Sequence, residues 1–183
     1  MDHASFALRQ QFVVLHQAGI RHLLPGPEAS APDILSEEPW PALLEKIPQG
    51  AASIWTYEGL GQDLTGKPSA ERRGMLGKLL GLMRLPKGYV GFLPFSLPGG
   101  SVQRLMIDHF MQALSLLHPS SVVYFGVEGG CPFQSSFGRP ESSSALGCTL
   151  QLLPDLSVLL QMNEADLLSV SENLKSSIFR APC

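Results

Sequence analysis

The 183 residues predict an α/β domain with a mainly parallel sheet. Three observations lead there. Short apolar segments rich in β-branched and aromatic residues alternate with longer segments of helical periodicity. The helical stretches can serve as crossover connections, which neighbouring parallel strands require. Each strand-like segment ends in a loop bearing glycine or proline, so several loops meet at the sheet's carboxyl end, where such folds bind ligands. The expected architecture is three-layered, α/β/α, with a sheet of about four strands.

Residues 4–18 read as a helix with Phe6, Leu8, Phe12, Leu15 and Ala18 on a partly apolar face and Gly19 placed to end it. The segment 25–41, PGPEASAPDILSEEPWP, is rich in proline and acid and reads as a tether. Residues 1–41 are therefore expected to form an N-terminal arm, and 42–183 the α/β domain. Leu43 to Ile47 adds a helical turn, and Ala51 to Tyr57 is a buried strand. After the glycine loop that follows, Ser69 is a good N-cap, and Glu71 suits the first turn of the helix. Met75, Leu76, Leu79, Leu82 and Met83 form its apolar stripe. YVGFLPF, 89–95, is a second strand, and SLPGGS a turn whose Ser101 caps a helix carrying Val102, Leu105, Met106, Phe110, Ala113, Leu114 and Leu117. VVYFGVEGG is a third strand, 131–147 a surface loop, and CTLQLLP, 148–154, a fourth strand. Asn163 opens the last helix, with Leu167, Val170, Leu174 and Ile178 on one side.

Composition narrows the function. Hydrophobic residues make up 44%, which supports a folded core. The net charge of −3 argues against a general nucleic-acid binder. The basic group Arg72, Arg73, Lys78, Arg84 and Lys87 reads as a solvated helix face. The cysteines Cys131, Cys148 and Cys183 lack the CxxC spacing of a zinc ribbon or iron–sulfur site, so no metal and no cofactor is expected. An odd number of cysteines without a secretion signal suits reduced thiols in a cytoplasm. No apolar run is long enough to span a membrane.

The segment TYEGLGQDLTGKPS, 56–69, is the richest in chemical candidates. Gly59, Gly61, Gly66 and Ser69 could cradle an anion at the start of the next helix, or simply form a tight turn. Pro68 breaks the G-K-[ST] step of a Walker loop. Asp63 and Asp155 are candidates for an acid pair across the rim, with Glu58 and Glu128 nearby, although solvated loop carboxylates are the plainer reading. His109 and His118 read as structural. Tyr57, Phe92, Phe95, Tyr124 and Phe125 read as core, whereas Trp40, in the proline-rich segment, is a candidate partner anchor.

From about Ser53 to Phe179 the chain resembles the uracil-DNA glycosylase superfamily, in its family-4-like branch. There the first strand leads into a loop of form G-E-A-P-G-x-x-E-x-x-x-G-x-P-F, matched here at Gly59, Gly66 and Pro68. Gln62 falls at the family's acidic position and Ser69 at its base-stacking phenylalanine. LPKGYVGFLPF has Phe92, Leu93 and Pro94 where the family reads the base with asparagine. LHPSSVVYFGVEG resembles the strand that follows. LPDLSVLL resembles the H-P-S-y-L-L loop: Ser157, Leu159 and Leu160 fit, while Asp155 replaces the catalytic histidine.

The resemblance implies a glycosylase-like fold whose base-excising groups are lost, and the family's cluster-ligating cysteines are absent too. Base excision needs a stacked, flipped base and a stabilised leaving group, and an ionised Asp155 would oppose the latter. LRQQFVVLHQAGIRHLLPGPE, 8–28, is also similar in kind to the psi subunit of bacterial DNA polymerase III, a non-enzymatic relative that docks partners through its N-terminal segment. The expectation is a non-catalytic adaptor in DNA replication or repair, with Phe12 and Trp40 as partner contacts. The alternative is a divergent DNA glycosylase or nucleotide hydrolase using Gln62, Asp63 and Asp155, with Gly59, Gly61, Gly66, Ser69 and Ser157 binding its ligand, which would be DNA or a nucleotide.

Overall fold

The computed structural model describes residues 34–180 apart from 67, 100, 101 and 138–146. Phe12 and the expected helix 4–18 lie outside the described residues. Residues 34–183 form one compact unit. The α/β unit therefore includes 34–41, which the sequence placed in the arm.

The core is a four-stranded, all-parallel sheet. Its strands are β1 (Ser53–Tyr57), β2 (Val90–Phe92), β5 (Ser121–Phe125) and β6 (Thr149–Leu153). They lie in the order β2-β1-β5-β6. Ser53 faces Val90 on one side and Ser121 on the other, and Ser121 in turn faces Thr149. Strand side chains alternate between two cores, as the two-residue period of a strand requires. Ile54, Val122 and Tyr124 enter one core; Trp55, Tyr57, Val123 and Phe125 enter the other. A strand buried on both faces needs an apolar run without polar alternation, which SIWTY and SVVYF nearly are.

Helices cover both faces. On the first lie α1 (Trp40–Leu44) and α4 (Ile107–Leu117), contributing Trp40, Leu43, Phe110, Ala113 and Leu114. On the second lie α3 (Ala70–Met83), α6 (Leu156–Gln161) and α7 (Glu164–Arg180). Met75, Leu76, Leu79 and Met83 of α3 meet Leu156, Leu159, Leu167, Leu174 and Ile178 there. Two short helices, α2 (Leu60–Thr65) and α5 (Gln134–Phe137), sit within loops. The expected α/β/α layering and four-stranded sheet are what the chain adopts.

Several local readings need correction. Residues 102–105 are not the start of a helix. They form β4, the second strand of an antiparallel hairpin with β3 (Ser96–Gly99). The apolar spacing of Val102 and Leu105 suits either state, and pairing decides it. The helix begins at Ile107 instead. The second strand is shorter than expected, because its run reaches Leu93-Pro94 and proline cannot extend a parallel ladder. Trp40 is not an exposed anchor: it is 1% exposed and stacks on His109 with ring centroids 5.1 Å apart. Proline-rich flanks concealed a residue that the first core claims.

Candidate functional site

In the strand order β2-β1-β5-β6 the chain leaves β1 in one direction and later returns to its other side. The carboxyl ends of β1 and β5 therefore flank a topological switch point, where doubly wound sheets open a crevice. Tyr57 ends β1 there, and the glycine loop follows it.

The loop folds around Asp63. Gly59 takes the left-handed conformation (φ 89°) and opens α2, a backbone state that glycine adopts without strain. Gly61 lies against the backbone of Ser96, whose carbonyl oxygen occupies the space a Cβ would need. Gly66 ends α2, its N–H donating to the Gln62 carbonyl at 2.8 Å. These three glycines are thus explained by the turn and by close packing.

Asp63 is held by four hydrogen bonds. Its Oδ1 accepts from the Ser69 backbone N–H at 3.1 Å and from Arg72 Nη2 at 2.6 Å. Its Oδ2 accepts from Tyr57 Oη and from Arg72 Nε, both at 2.8 Å. A carboxylate offers about four lone-pair positions, and all are taken here. The Arg72 fork is bidentate, the strongest geometry for this pair. The Asp63 side chain is 7% exposed and Arg72 34%. The Arg72 guanidinium also lies 5.9 Å from the Tyr57 ring centroid.

The electrostatics follow from this geometry. Burial pulls the Asp63 carboxyl upward, but hydrogen bonds from Arg72, Tyr57 and Ser69, with the Arg72 charge, outweigh it and hold the group below the usual carboxylate value. Burial, the hydrogen bond to Asp63 and its charge push the Tyr57 phenol far above its usual range, and Arg72 only partly offsets them. The Asp63 hydrogen bond raises Arg72 further, against the opposing effect of burial. Asp63 thus has all four acceptor positions engaged by its own chain, and the Tyr57 hydroxyl proton is engaged with it.

Ser69 caps α3 as expected, its Oγ accepting from Arg72 N–H at 3.3 Å. Its own N–H, which would face a bound anion, points to Asp63. An internal carboxylate thus takes the place that a phosphate would occupy in a loop-to-helix cradle. Gln62 is exposed.

Across the rim the other candidates form a separate group. Asp155 caps α6: its Oδ1 accepts from the Ser157 N–H at 2.8 Å and from Ser157 Oγ at 2.6 Å. The Asp155 N–H donates to Glu128 Oε2 at 2.9 Å. Among the described residues no hydrogen bond joins Asp63 and Asp155, the pair weighed against solvated loop carboxylates; each accepts at its own helix start. Between the strand ends stands Tyr124, whose hydroxyl donates to the Gly130 carbonyl at 3.3 Å. Burial, then Cys131, Glu58, Asp155 and Glu128 around it, push this phenol up to about 12. Among the described residues no group of His, Cys, Asp and Glu is arranged to hold a metal ion.

A cavity of about 280 Å³ opens beside Asp63, between α2, α3 and the sheet. Leu60, Leu64, Leu76, Leu80 and Phe92 line it, with Tyr57, Asp63, Ser69 and Arg73 as its polar members. The Tyr57–Asp63–Arg72 cluster is not legible in the sequence, where Tyr57 reads as core and Arg72 as part of a solvated face: no spacing rule links residues nine apart across a turn.

No protein-family model matches the chain, and no curated protein matches it in sequence.

Proposed function

We propose that this chain is a non-catalytic, uracil-DNA glycosylase-like protein that acts as an adaptor in DNA replication or repair, docking a protein partner through its N-terminal segment. The observation that supports it is Asp63, an acid at the switch point with every acceptor position filled by its own chain. Asp155, at the place of the family's catalytic histidine, is spent on capping a helix. Ser69, at the place of the stacking aromatic, caps another. Side chains engaged at helix starts favour a role in positioning backbone over proton transfer at a flipped base.

The test is incubation of the full chain with single- and double-stranded DNA carrying uracil, hypoxanthine or xanthine, scoring binding and base release. No release is expected. Release that disappears in Gln62→Ala or Asp155→Ala would overturn the adaptor reading. The docking half is tested by comparing partner capture by the full chain and by a chain lacking residues 1–33. The truncation stops at 33 because Leu35 and Trp40 belong to the core.

A further inference from the structure

We infer that the groove between α3, α6 and α7 is a self-association surface, on which a second copy of this chain packs its own α3 antiparallel to the first. This goes beyond the adaptor reading and does not rest on it. The groove lies on the opposite flank of α3 from Asp63 and shares no lining residue with the cavity there.

The lining states what kind of occupant fits. The groove measures about 320 Å³. Met75, Leu159 and Leu167 line it from the second core, and Leu160 stands beside them 45% exposed. Its polar side chains are Glu71 and Lys78, both exposed, and neither forms an ion pair among the described residues. No buried polar group lines it, so nothing there would orient a small polar ligand. Apolar contact area bordered by exposed charge is the anatomy of a protein interface.

The placement of the charges names the occupant. Glu71 and Lys78 are seven residues apart on one face of α3, two turns or about 10 Å along its axis. A partner surface of one sign would set a like charge against one of them. The chain itself carries the matching pair in reversed order. An antiparallel second α3 sets Glu71 of each copy against Lys78 of the other, and two-fold symmetry forms both pairs at once. The axis then passes beside Gly74 and Met75, midway between the charges. A Cβ at Gly74 would meet nothing within 4 Å, so the helix backbone is open there to a close neighbour, and Leu160 supplies an apolar group to meet it. The net charge of −3 sets up little repulsion between copies.

The experiment is sedimentation velocity of the full chain up to about 0.5 mM, a concentration that reveals even weak association. A concentration-dependent rise to twice the chain mass is expected. Glu71→Lys alone and Lys78→Glu alone each set like charges together twice in the dimer. Each should raise the dissociation constant about ten-fold. Glu71→Lys combined with Lys78→Glu re-forms both pairs in reverse, and should return the constant to within about three-fold of the parent. Gly74→Glu puts two carboxylates beside the axis and should leave a monomer. All three positions are exposed, so the variants should keep the parent's circular dichroism spectrum. A chain that stays monomeric throughout that range would overturn the inference. So would a dimer indifferent to the single charge reversals and to Gly74→Glu, since it would form on another surface. A double variant no tighter than the single ones would also overturn it, because the two charges would then not face each other.

Discussion

Asp63 and Asp155 each follow a parallel strand and each accept a backbone N–H at the start of a helix. Their surroundings separate them. Asp63 is withdrawn from water, so its charge must be matched, and Arg72 and Tyr57 match it. Asp155 is only half-buried, has no cation bonded to it among the described residues, and caps its helix. The same residue type in equivalent topological places is a structural keystone on one side of the rim and a surface cap on the other. Burial decides which, because an uncompensated charge costs far more in the interior than at the surface.

That contrast orders the expected effects of substitution. The largest belongs to the packing that holds the Asp63 loop. Gly61→Ala forces a methyl group into the Ser96 carbonyl and should cost about 3 kcal/mol, read as a lower urea midpoint with an unchanged slope. A stable variant would mean that α2 shifts freely, and the buried cluster would lose its rigid frame. Next comes Arg72→Ala, which strands the Asp63 carboxylate. A loss of about 2 kcal/mol is expected, below the roughly 3–5 kcal/mol of a fully buried pair because Arg72 is 34% exposed. A cycle with Asp63→Asn should show clear coupling, whereas an Asp155→Ala and Arg72→Ala pair should be additive.

The pH dependence separates the two acids further. The Asp63 carboxyl is depressed in the folded state, so its contribution is complete above the unfolded value of 3.8 and is lost as pH falls through the lower folded value. The stability difference between the parent and Asp63→Asn should therefore shrink only in strong acid. Tyr57 runs the opposite way. Its raised value makes the neutral phenol's contribution complete below 10.0 and lost as pH rises through the folded value. Tyr57→Phe should flatten the alkaline limb of the stability curve. Helix caps come after these: Ser69→Ala and Asp155→Ala should each cost about 1 kcal/mol. Gln62→Ala, on the surface, should stay within about 0.5 kcal/mol of the parent. Equal losses for Asp63→Asn and Asp155→Ala would erase the distinction between the saturated acid with its bonded cation and the half-buried helix cap.

Among the described residues no helix is long and apolar enough to cross a membrane. The Ser69 cap, the α3 stripe of Met75, Leu76, Leu79 and Met83, and the buried aromatics Tyr57, Phe95, Tyr124 and Phe125 were legible from the residues. The β3–β4 hairpin and the burial of Trp40 were not. Val102 and Leu105 became strand by pairing with residues across a turn, and Trp40 became core by meeting His109, sixty-nine positions later in the chain.

What the sequence by itself determined was local and periodic. Two-residue and helical repeats choose strand or helix, caps mark helix starts, and helical crossovers between strands make the sheet parallel. Only the tertiary structure decided which charges are buried and what they meet. Residues 57, 63, 69 and 72 occupy an end of a strand, a short helix, a cap and a first turn, and each has an ordinary local reason to be there. Their convergence on one carboxylate is a property of the packed chain. Hydrogen-bond saturation and desolvation depend on distances in space, which periodicity along the sequence does not encode.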